Sequence, residues 1–308
     1  MTLVIELYLL DRNIIDLMNR HNKSYDIPDA KRISMLNKLK ELDVKGNKFS
    51  PLLSLIEGKT YKEQDSNGKL KIIKTPNKKI RELILNESNI VKSFIKDAAS
   101  DYDYLTRIAN KLSKILYESE ADRLINEKIA FLNKLQESIG EIRRVEQRDK
   151  AYNEFKDIVS HFKEFKDQPM TVVALMYIFG SQRAAKILKF QNKSFLAYNP
   201  IADFNHYKTI CQLKFDDNAN GKINVHFLSL DSDIEFIQEL IHPNMSKVST
   251  LTNYTNLLAT EWNINKELVK NEIPETKGEI NNQALFYSCF KDFYGHDIQI
   301  PLPSGDKG

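Results

Sequence analysis

Residues 3–11 read LVIELYLLD, and this stretch decides the fold class. All of it except Glu6 and the final Asp11 is apolar, which indicates a strand buried on both faces, as in a parallel sheet covered by helices. The next residues, RNIIDLM at 12–18, place apolar side chains at helical spacing. A buried strand followed at once by an amphipathic helix predicts an α/β fold, with Asp11 at the turn between the two elements.

A second stretch of the same kind lies far along the chain. Residues 223–230 read INVHFLSL and predict another buried strand, which is followed by Asp231 and then by an amphipathic helix, SDIEFIQELI. The carboxyl ends of parallel strands meet at one edge of a sheet, where ligand sites form. If the two strands are neighbours, Asp11 and Asp231 are therefore expected at the same edge.

Two further acids lie in apolar surroundings. Glu57 belongs to the short helix predicted in FSPLLSLIEG, for which Ser50 is the expected N-cap and Gly58 the expected stop. Asp203 lies near the start of the helix predicted in PIADFNHYKTICQL. Carboxylates buried together are costly unless a metal ion or cationic side chains balance their charge. Three or four of them suit Mg²⁺ or Mn²⁺, which prefer oxygen ligands.

Each of these four acids also has a purely structural interpretation. Asp11 and Asp231 suit helix N-caps, Asp203 suits a helix N-terminus through the macrodipole, and Glu57 suits a surface position. The metal interpretation therefore depends on the four acids occurring together and in order.

The middle of the chain has a different character. Apolar residues recur at steps of three and four between 105 and 142, and no proline occurs between Pro76 and Pro169, which predicts helices. We therefore predict a discontinuous α/β core over 1–58 and 168–300, a mainly helical insertion over 59–167 and a frayed tail over 301–308. The stretch 170–180 suits either a buried helix or a strand.

Composition excludes several classes of protein. The chain has 308 residues, a net charge of +3, 42% hydrophobic and 28% charged residues, which is globular. Cys211 and Cys289 are too few for a disulfide scaffold or a structural zinc site, and no HExxH, GxxxxGK[ST] or GxGxxG motif occurs. No run approaches the roughly 20 apolar residues that cross a bilayer. A soluble, cytoplasmic protein with no membrane partner is expected.

Four segments resemble the motifs of the PIN-like nuclease domains. YLLDRNIIDLM is similar to the opening strand of that family, and FSPLLSLIEG to its helix carrying the second acid. PIADFNHYKTICQL resembles the helix of the third acid, and VHFLSLDSDIEF the last strand with its Ser-x-Asp step. The resemblance covers roughly 1–58 and 195–240, about a third of the chain. Glu57 and Asp203 lie 146 positions apart, farther than in a compact member of the family.

The resemblance implies a site and an activity. Asp11, Glu57, Asp203 and Asp231 match the catalytic, metal-binding acids, with Asp233 as an alternative to Asp231. Asn13 and Ser229 match the polar supporting positions. The implied fold is a PIN-like parallel sheet flanked by helices. The implied activity is metal-dependent cleavage of phosphodiester bonds by Mg²⁺ or Mn²⁺, in RNA in preference to DNA, as in a toxin, an antiviral defence effector or an RNA-processing enzyme.

Two basic segments suit phosphate binding. The stretch 59–81 carries eight cations against two acids, and a second face carries Arg183, Lys186, Lys189 and Lys193. Tyr61 and the aromatic group Phe195, Tyr198, Phe204 and Tyr207 would stack unpaired bases. The structural alternatives are a solvated charged loop for the first segment and core packing for the aromatic group.

Two other function classes compete with the nuclease. One is a non-catalytic α/β scaffold whose helical block binds a protein partner, an inhibitor or a second copy of the chain. The other is a phosphate-chemistry enzyme with Asp11 as a nucleophile, although no second Asp follows two positions later.

Overall fold

The computed structural model describes residues 4–64, 70–118, 125–141, 145–192, 195–207, 223–243, 262–274 and 281–295. The chain divides into two compact units, the first Met1–Arg123 with Thr209–Ser232 and the second Leu124–Lys208 with Asp233–Gly308. The first unit holds a parallel sheet flanked by helices, so the predicted α/β class is confirmed.

The sheet of the first unit has four parallel strands. In chain order they are β1 (Ile5–Leu10), β2 (Asn47–Ser50), β5 (Ala99–Ser100) and β6 (Ile223–Leu228), with β3 and β4 elsewhere in the unit. Their spatial order is β5–β2–β1–β6. In β1, Leu9 lies opposite Ser50 of β2, and Leu10 lies opposite Leu228 of β6. The two strands predicted from their apolar runs are therefore neighbours.

The described residues of this unit also form six helices: α1 (Arg12–Asn22), α2 (Ala30–Glu41), α3 (Leu52–Glu57), α4 (Asn77–Phe94), α5 (Tyr102–Arg107) and α6 (Ala109–Glu118). One apolar core joins α1, α2 and α4 to the sheet through residues that include Leu10, Met18, Leu39, Phe49 and Val91. A second core joins α3, α4, α5 and α6 through Leu55, Ile80, Ile84, Leu105 and Leu116. Because α4 contributes to both cores, it ties α5 and α6 to the sheet.

The basic stretch begins as a β-hairpin instead of a loop or a helix. Strands β3 (Thr60–Gln64) and β4 (Leu70–Lys74) are antiparallel, with Tyr61 opposite Ile73. The hairpin and α4 to α6 lie in the compact unit that contains the sheet. The first unit therefore runs on to Arg123 and the second begins at Leu124, whereas the predicted boundaries of the insertion are 59 and 167.

The second unit is mainly helical in its described part. Its helices are α7 (Ile125–Ile139), α8 (Arg148–His161), α9 (Pro169–Ile178), α10 (Gln182–Leu188), α11 (198–207), α12 (Ser232–Leu240, whose first residue belongs to the first unit), α13 (Lys266–Glu272) and α14 (Asn282–Tyr294). Two short strands, β7 (Ile241–Pro243) and β8 (Trp262–Ile264), pair antiparallel. Every residue of α9 is buried, as expected for a helix that is apolar on all sides.

The structure decides one open alternative and corrects one local prediction. The stretch 170–180, which suits either a helix or a strand by its sequence, is helical up to Ile178, and the strand on the far side of β2 is the two-residue β5. Ser50 ends β2, and Pro51 occupies the N-cap position of α3, although the Ser50 hydroxyl still accepts a 3.3 Å hydrogen bond from the Leu52 amide. Gly58 ends α3 as predicted. The predicted tail, 301–308, and Cys211 lie outside the described residues.

Candidate functional site

The sheet reverses its direction of growth between β1 and β6. From β1 the chain adds β2 and then β5 on one side, and later adds β6 on the other side of β1. In open parallel sheets, ligands bind outside the carboxyl ends of the strands at such a switch point. Asp11 follows β1 and Asp231 follows β6 by three residues. The predicted convergence of these two elements is therefore present in the fold.

Asp11 is buried, with 6% of its surface exposed, and both of its carboxylate oxygens are engaged. Oδ1 accepts a 2.7 Å hydrogen bond from the Arg12 amide, so Asp11 is the N-cap of α1. Oδ2 accepts from Asn13 Nδ2 at 2.6 Å and from the Ser229 hydroxyl at 2.5 Å. Capping needs only one oxygen. Ser229 lies 218 positions away in the sequence, and its contact therefore fixes the carboxylate beyond what a cap requires.

Asn13 and Ser229 connect the ends of the two strands, in the supporting positions that the family resemblance implies. Asn13 Nδ2 also donates to Ser229 Oγ at 3.0 Å, and Asn13 Oδ1 accepts from the Leu230 amide at 2.9 Å. Ser229 Oγ accepts from the Asp231 amide at 2.8 Å. One hydroxyl therefore joins the carboxylate of Asp11 to the backbone of Asp231, and the turn after β6 is held in register with the turn after β1.

A lysine lies beside this network. Lys31, in the first turn of α2, donates from Nζ to the carbonyl of Leu230 at 2.5 Å. Leu230 lies between Ser229 and Asp231, so the ammonium group lies close to the turn that carries the second aspartate. An ammonium group at this edge favours an anionic ligand.

Glu57 is the half-buried last residue of α3, and its surroundings include a cation. The next residue, Gly58, lies so close to Arg12 that a Cβ at Gly58 would be 2.6 Å from Arg12 Nη2. Arg12 Nη2 also lies 3.7 Å from Glu87 Oε1. Arg12, the residue after Asp11, therefore lies beside both the turn after Glu57 and the carboxyl group of Glu87 on α4.

Glu87 is a buried carboxyl with an unusual titration. Burial raises its pKa from 4.5 to about 7, although the nearby Ser54 hydroxyl and the Arg12 guanidinium lower the pKa. The negative charges of Asp16 and Glu57 raise it further. Its Oε2 has no hydrogen-bond partner among the described residues. At neutral pH a large fraction of Glu87 therefore carries a proton.

The structure places Asp203 and Asp233 in the second unit, each near a lysine. Lys189 Nζ lies 3.5 Å from Asp203 Oδ2, and Lys186 Nζ lies 3.7 Å from Asp233 Oδ1. The role of Asp203 beside Asp11 remains a prediction that these contacts within the second unit do not address.

The predicted basic face of the second unit is largely charge-balanced. Arg183 Nε lies 3.6 Å from Glu272 Oε1, and Lys186 and Lys189 have the carboxylate neighbours given above. Lys193 lies outside the described residues. Since three of the four cations already have an anionic neighbour, the face offers less positive charge to a phosphate than its sequence indicates.

The aromatic group of the second unit favours core packing. Phe204 and Tyr207 are buried, and the Tyr207 hydroxyl donates to the carbonyl of Ile241. Phe195 packs edge-on against the buried Phe190, with 5.4 Å between the ring centroids. Buried rings are not available to stack on bases, so base stacking by Phe204 and Tyr207 is not supported.

The donor atoms of the β1–β6 edge suit a hard divalent cation. Mg²⁺ is commonly held by one or two carboxylates, with water and substrate phosphate oxygens completing six positions. Asp11 supplies one carboxylate at this edge, and the backbone amide of Asp231 lies beside it, bonded to Ser229. Within the described ranges, no three or more His, Cys, Asp or Glu side chains come together as a metal-binding group. The role of Asp231 as a second carboxylate at this edge stays a prediction.

Sequence reasoning missed Arg12, Lys31 and Glu87 as members of this region. Glu87 carried a detectable signal, because it falls on the apolar side of α4 between Ile84 and Val91, at steps of three and four. An acid in a buried stripe indicates a special environment. Arg12 and Lys31 carried none, because their neighbours are distant in sequence.

No protein-family model, curated protein or solved structure matches this chain. Among the helices that the structure describes, none combines the length and the apolar character needed to span a bilayer.

Proposed function

We propose that this chain is a metal-dependent endoribonuclease with a PIN-like core. The observation that supports the proposal is the location of Asp11 at the switch point between β1 and β6, where Ser229 and Asn13 donate hydrogen bonds to its carboxylate. A carboxylate buried at this position and fixed from both strands is an expensive arrangement that a ligand-binding role explains.

Asp11 and Asp231 would hold the ion, Mg²⁺ or Mn²⁺. When bound, such an ion activates water, orients the phosphate and stabilises the departing oxygen. Ser229 and Asn13 keep the Asp11 carboxylate in a fixed orientation, which is the role of residues that support a metal ligand. Within the first unit, Glu57 completes the proposed set of acids, from the end of α3 next to Arg12. Asp203 stays a prediction of the family resemblance.

Cations of the first unit would supply contacts to the RNA backbone. Lys31 lies beside the Asp231 turn and Arg12 beside Asp11 and Gly58, so the two flank the proposed ion site. Arg12 presents a planar set of donors, which suits a phosphate. These contacts position a phosphate without reading its sequence.

The proposal predicts the loss of cleavage in two aspartate variants. Asp11→Asn and Asp231→Asn remove a negative charge at the ion and should each reduce cleavage of single-stranded RNA by more than about 100-fold. The assay compares RNA and DNA substrates with Mg²⁺, Mn²⁺ or EDTA, and EDTA should abolish cleavage. Circular dichroism checks that each variant is folded.

Asp29→Asn is the matched control. Asp29 caps α2 through a 2.9 Å hydrogen bond from the Arg32 amide, and Asn also serves well as an N-cap. This variant should retain wild-type cleavage. If folded Asp11→Asn cleaves like the Asp29→Asn control, the acids are structural caps, and the alternative of a non-catalytic scaffold that binds protein partners replaces the nuclease.

A further inference from the structure

Four exposed side chains of the first unit form two aromatic–cationic pairs on the β-hairpin and on the helices beside it. Tyr61 is on β3, Lys74 on β4, Lys79 on α4 and Tyr117 on α6, and we call this set the tyrosine–lysine surface. Each tyrosine has 40% of its surface exposed. Lys74 Nζ lies 4.5 Å from the centroid of the Tyr117 ring, and Lys79 Nζ lies 5.8 Å from that of Tyr61.

Exposed large hydrophobic side chains are unevenly distributed over the described residues. The large hydrophobic side chains that are exposed all belong to the first unit, and four of them are tyrosines: Tyr25, Tyr61, Tyr104 and Tyr117. A cation–π contact at an exposed site contributes only about 0.5–1 kcal/mol, so fold stability gives little reason to keep a tyrosine at the surface. A ligand that covers the ring is a stronger reason.

The surroundings of this surface are strongly basic. The stretch 59–81 carries eight cations against Glu63 and Asp65, whereas the whole chain is nearly neutral. The Arg81 guanidinium donates to the side chain of Asn110 at 2.6 Å, which holds the start of α4 against α6. Local positive charge on a nearly neutral protein attracts a polyanion to one place.

The hairpin that carries Tyr61 and Lys74 is fixed to the turn that follows Glu57. The Thr75 hydroxyl, at the end of the hairpin, donates to the Gly58 carbonyl at 2.8 Å, and the Thr75 amide donates to the Lys59 carbonyl at 2.8 Å. Gly58 in turn lies against Arg12, the residue after Asp11. The base of the hairpin is therefore fixed beside the candidate site, and a chain bound along the hairpin would extend toward that site.

Exposed aromatic rings with adjacent ammonium groups match one kind of polyanion. Each base of a single strand has an open face for a tyrosine ring, and each nucleotide carries a phosphate for a nearby lysine. Paired bases in a duplex offer no such face. We infer that the tyrosine–lysine surface binds a single-stranded polynucleotide, with bases on Tyr61 and Tyr117 and phosphates near Lys74 and Lys79. The inference rests on the proposed nuclease function for treating that strand as the substrate.

Binding is measured without cleavage, by fluorescence anisotropy of labelled RNA and DNA single strands of about 16 nucleotides. The full chain is used in EDTA, both as wild type and as Asp11→Asn. Tyr61→Ala and Tyr117→Ala should each weaken binding by roughly 5-fold to 100-fold, whereas Tyr61→Phe and Tyr117→Phe should retain it because the ring remains. Lys74→Gln and Lys79→Gln should each lower the slope of log affinity against log salt by about one.

Tyr25→Ala is the matched control, because Tyr25 is an exposed tyrosine of the same unit outside this surface. It should bind like the wild type. A heparin fragment and anionic vesicles serve as polyanions without bases. The inference is overturned if both Tyr→Ala variants bind normally, if Tyr25→Ala weakens binding equally, or if heparin or vesicles bind as tightly as the strands.

Failure of this inference and failure of the proposed function give different results. Cleavage that depends on Asp11 together with binding that ignores Tyr61 and Tyr117 refutes the surface alone. Binding that depends on the two tyrosines without any metal-dependent cleavage refutes the nuclease and retains the surface as a single-strand binding site.

Discussion

At the scale of single residues, the Asp11 side chain does more than cap a helix. Its Oδ1 caps α1, and its Oδ2 accepts two hydrogen bonds from side chains that flank the switch point. A capping aspartate such as Asp29 is exposed and makes its cap through one oxygen. The difference lies in the neighbours that β6 brings, since the local sequence is of the capping type in both cases.

Glu87 predicts a pH dependence of stability. Its pKa is raised from 4.5 to about 7 in the folded state, so the folded protein binds one proton more than the unfolded chain between these pH values. Stability should therefore fall as the pH rises from about 4.5 to 7, by up to about 3 kcal/mol from this group. Glu87→Gln removes this contribution, because its amide stays neutral at every pH.

The measurement is urea unfolding of wild type and Glu87→Gln at pH 5 and pH 8. The variant should lose less stability than the wild type between the two pH values. Glu82→Gln, an exposed position on the same helix, is the control and should follow the wild type. Equal pH dependence in wild type and Glu87→Gln would contradict a raised pKa at Glu87.

At the scale of elements, the junction between α3 and the hairpin depends on a missing side chain. A Cβ at Gly58 would lie 2.2 Å from Leu83 Cδ2 and 2.6 Å from Arg12 Nη2. The backbone of Gly58 is right-handed helical, so space and not conformation requires glycine there. Gly58→Ala should destabilise the protein by about 1–3 kcal/mol through overpacking and should displace Arg12.

Gly46→Ala separates packing from backbone strain. Gly46 has φ of +99°, and a Cβ at this position would have no described neighbour within 4 Å, so its substitution strains only the backbone. Thermal unfolding and RNA cleavage are measured for both variants. Gly58→Ala should lower stability and cleavage, whereas Gly46→Ala should lower stability alone. Unchanged cleavage in Gly58→Ala would show that the position of Arg12 does not matter to the site.

Elements with long apolar runs were predictable, and elements whose identity depends on their partners were not. The runs in β1 and β6 indicate buried strands by themselves, and Asp11, Asn13 and Ser229 could be placed from them. The four residues of β2, NKFS, form a strand because β1 offers a pairing edge, and the two residues of β5 pair in turn with β2. The stretch 170–180 is apolar on all sides, so its pattern has no period that separates helix from strand.

The candidate site was predictable to the same extent. The residues that join the turn after β1 to the turn after β6 could be predicted from the strand ends. The contact between Arg12 and Glu87, which lie 75 positions apart in the sequence, could not. That contact depends on how α4 packs on α1, which hydrophobic periodicity does not specify. The basic stretch was visible as charge, whereas its pairing as a hairpin depends on the register of Tyr61 with Ile73.

At the scale of the whole molecule, the first unit is closed by two distant parts of the chain. Residues of β1 pair with residues of β6 across the full length of both strands. A chain ending at 208 lacks β6, Ser229 and Asp231, so β1 keeps an open edge and Asp11 loses its contact with Ser229. We expect such a chain to unfold at a lower temperature than the full chain and to aggregate.

Thermal unfolding by circular dichroism, with light scattering for aggregation, compares this truncation with the full chain. A chain ending at 300 is the control, because it removes only the tail that the sequence predicts to be frayed, and it should unfold like the full chain. A truncation at 208 that unfolds with full-length stability would show that β6 adds nothing to the sheet.

Under the proposed function, the pairing of β1 with β6 also sets the point of synthesis after which the chain can be active. A ribosome makes β1, α1 and β2 early, yet the strand that completes their edge begins only at Ile223. Under the proposed function, the nascent chain therefore remains harmless to the transcript and the ribosome that produce it. Abortive products released before β6 would likewise be inert, so the cell is exposed to nuclease activity only from chains that have passed this point of synthesis.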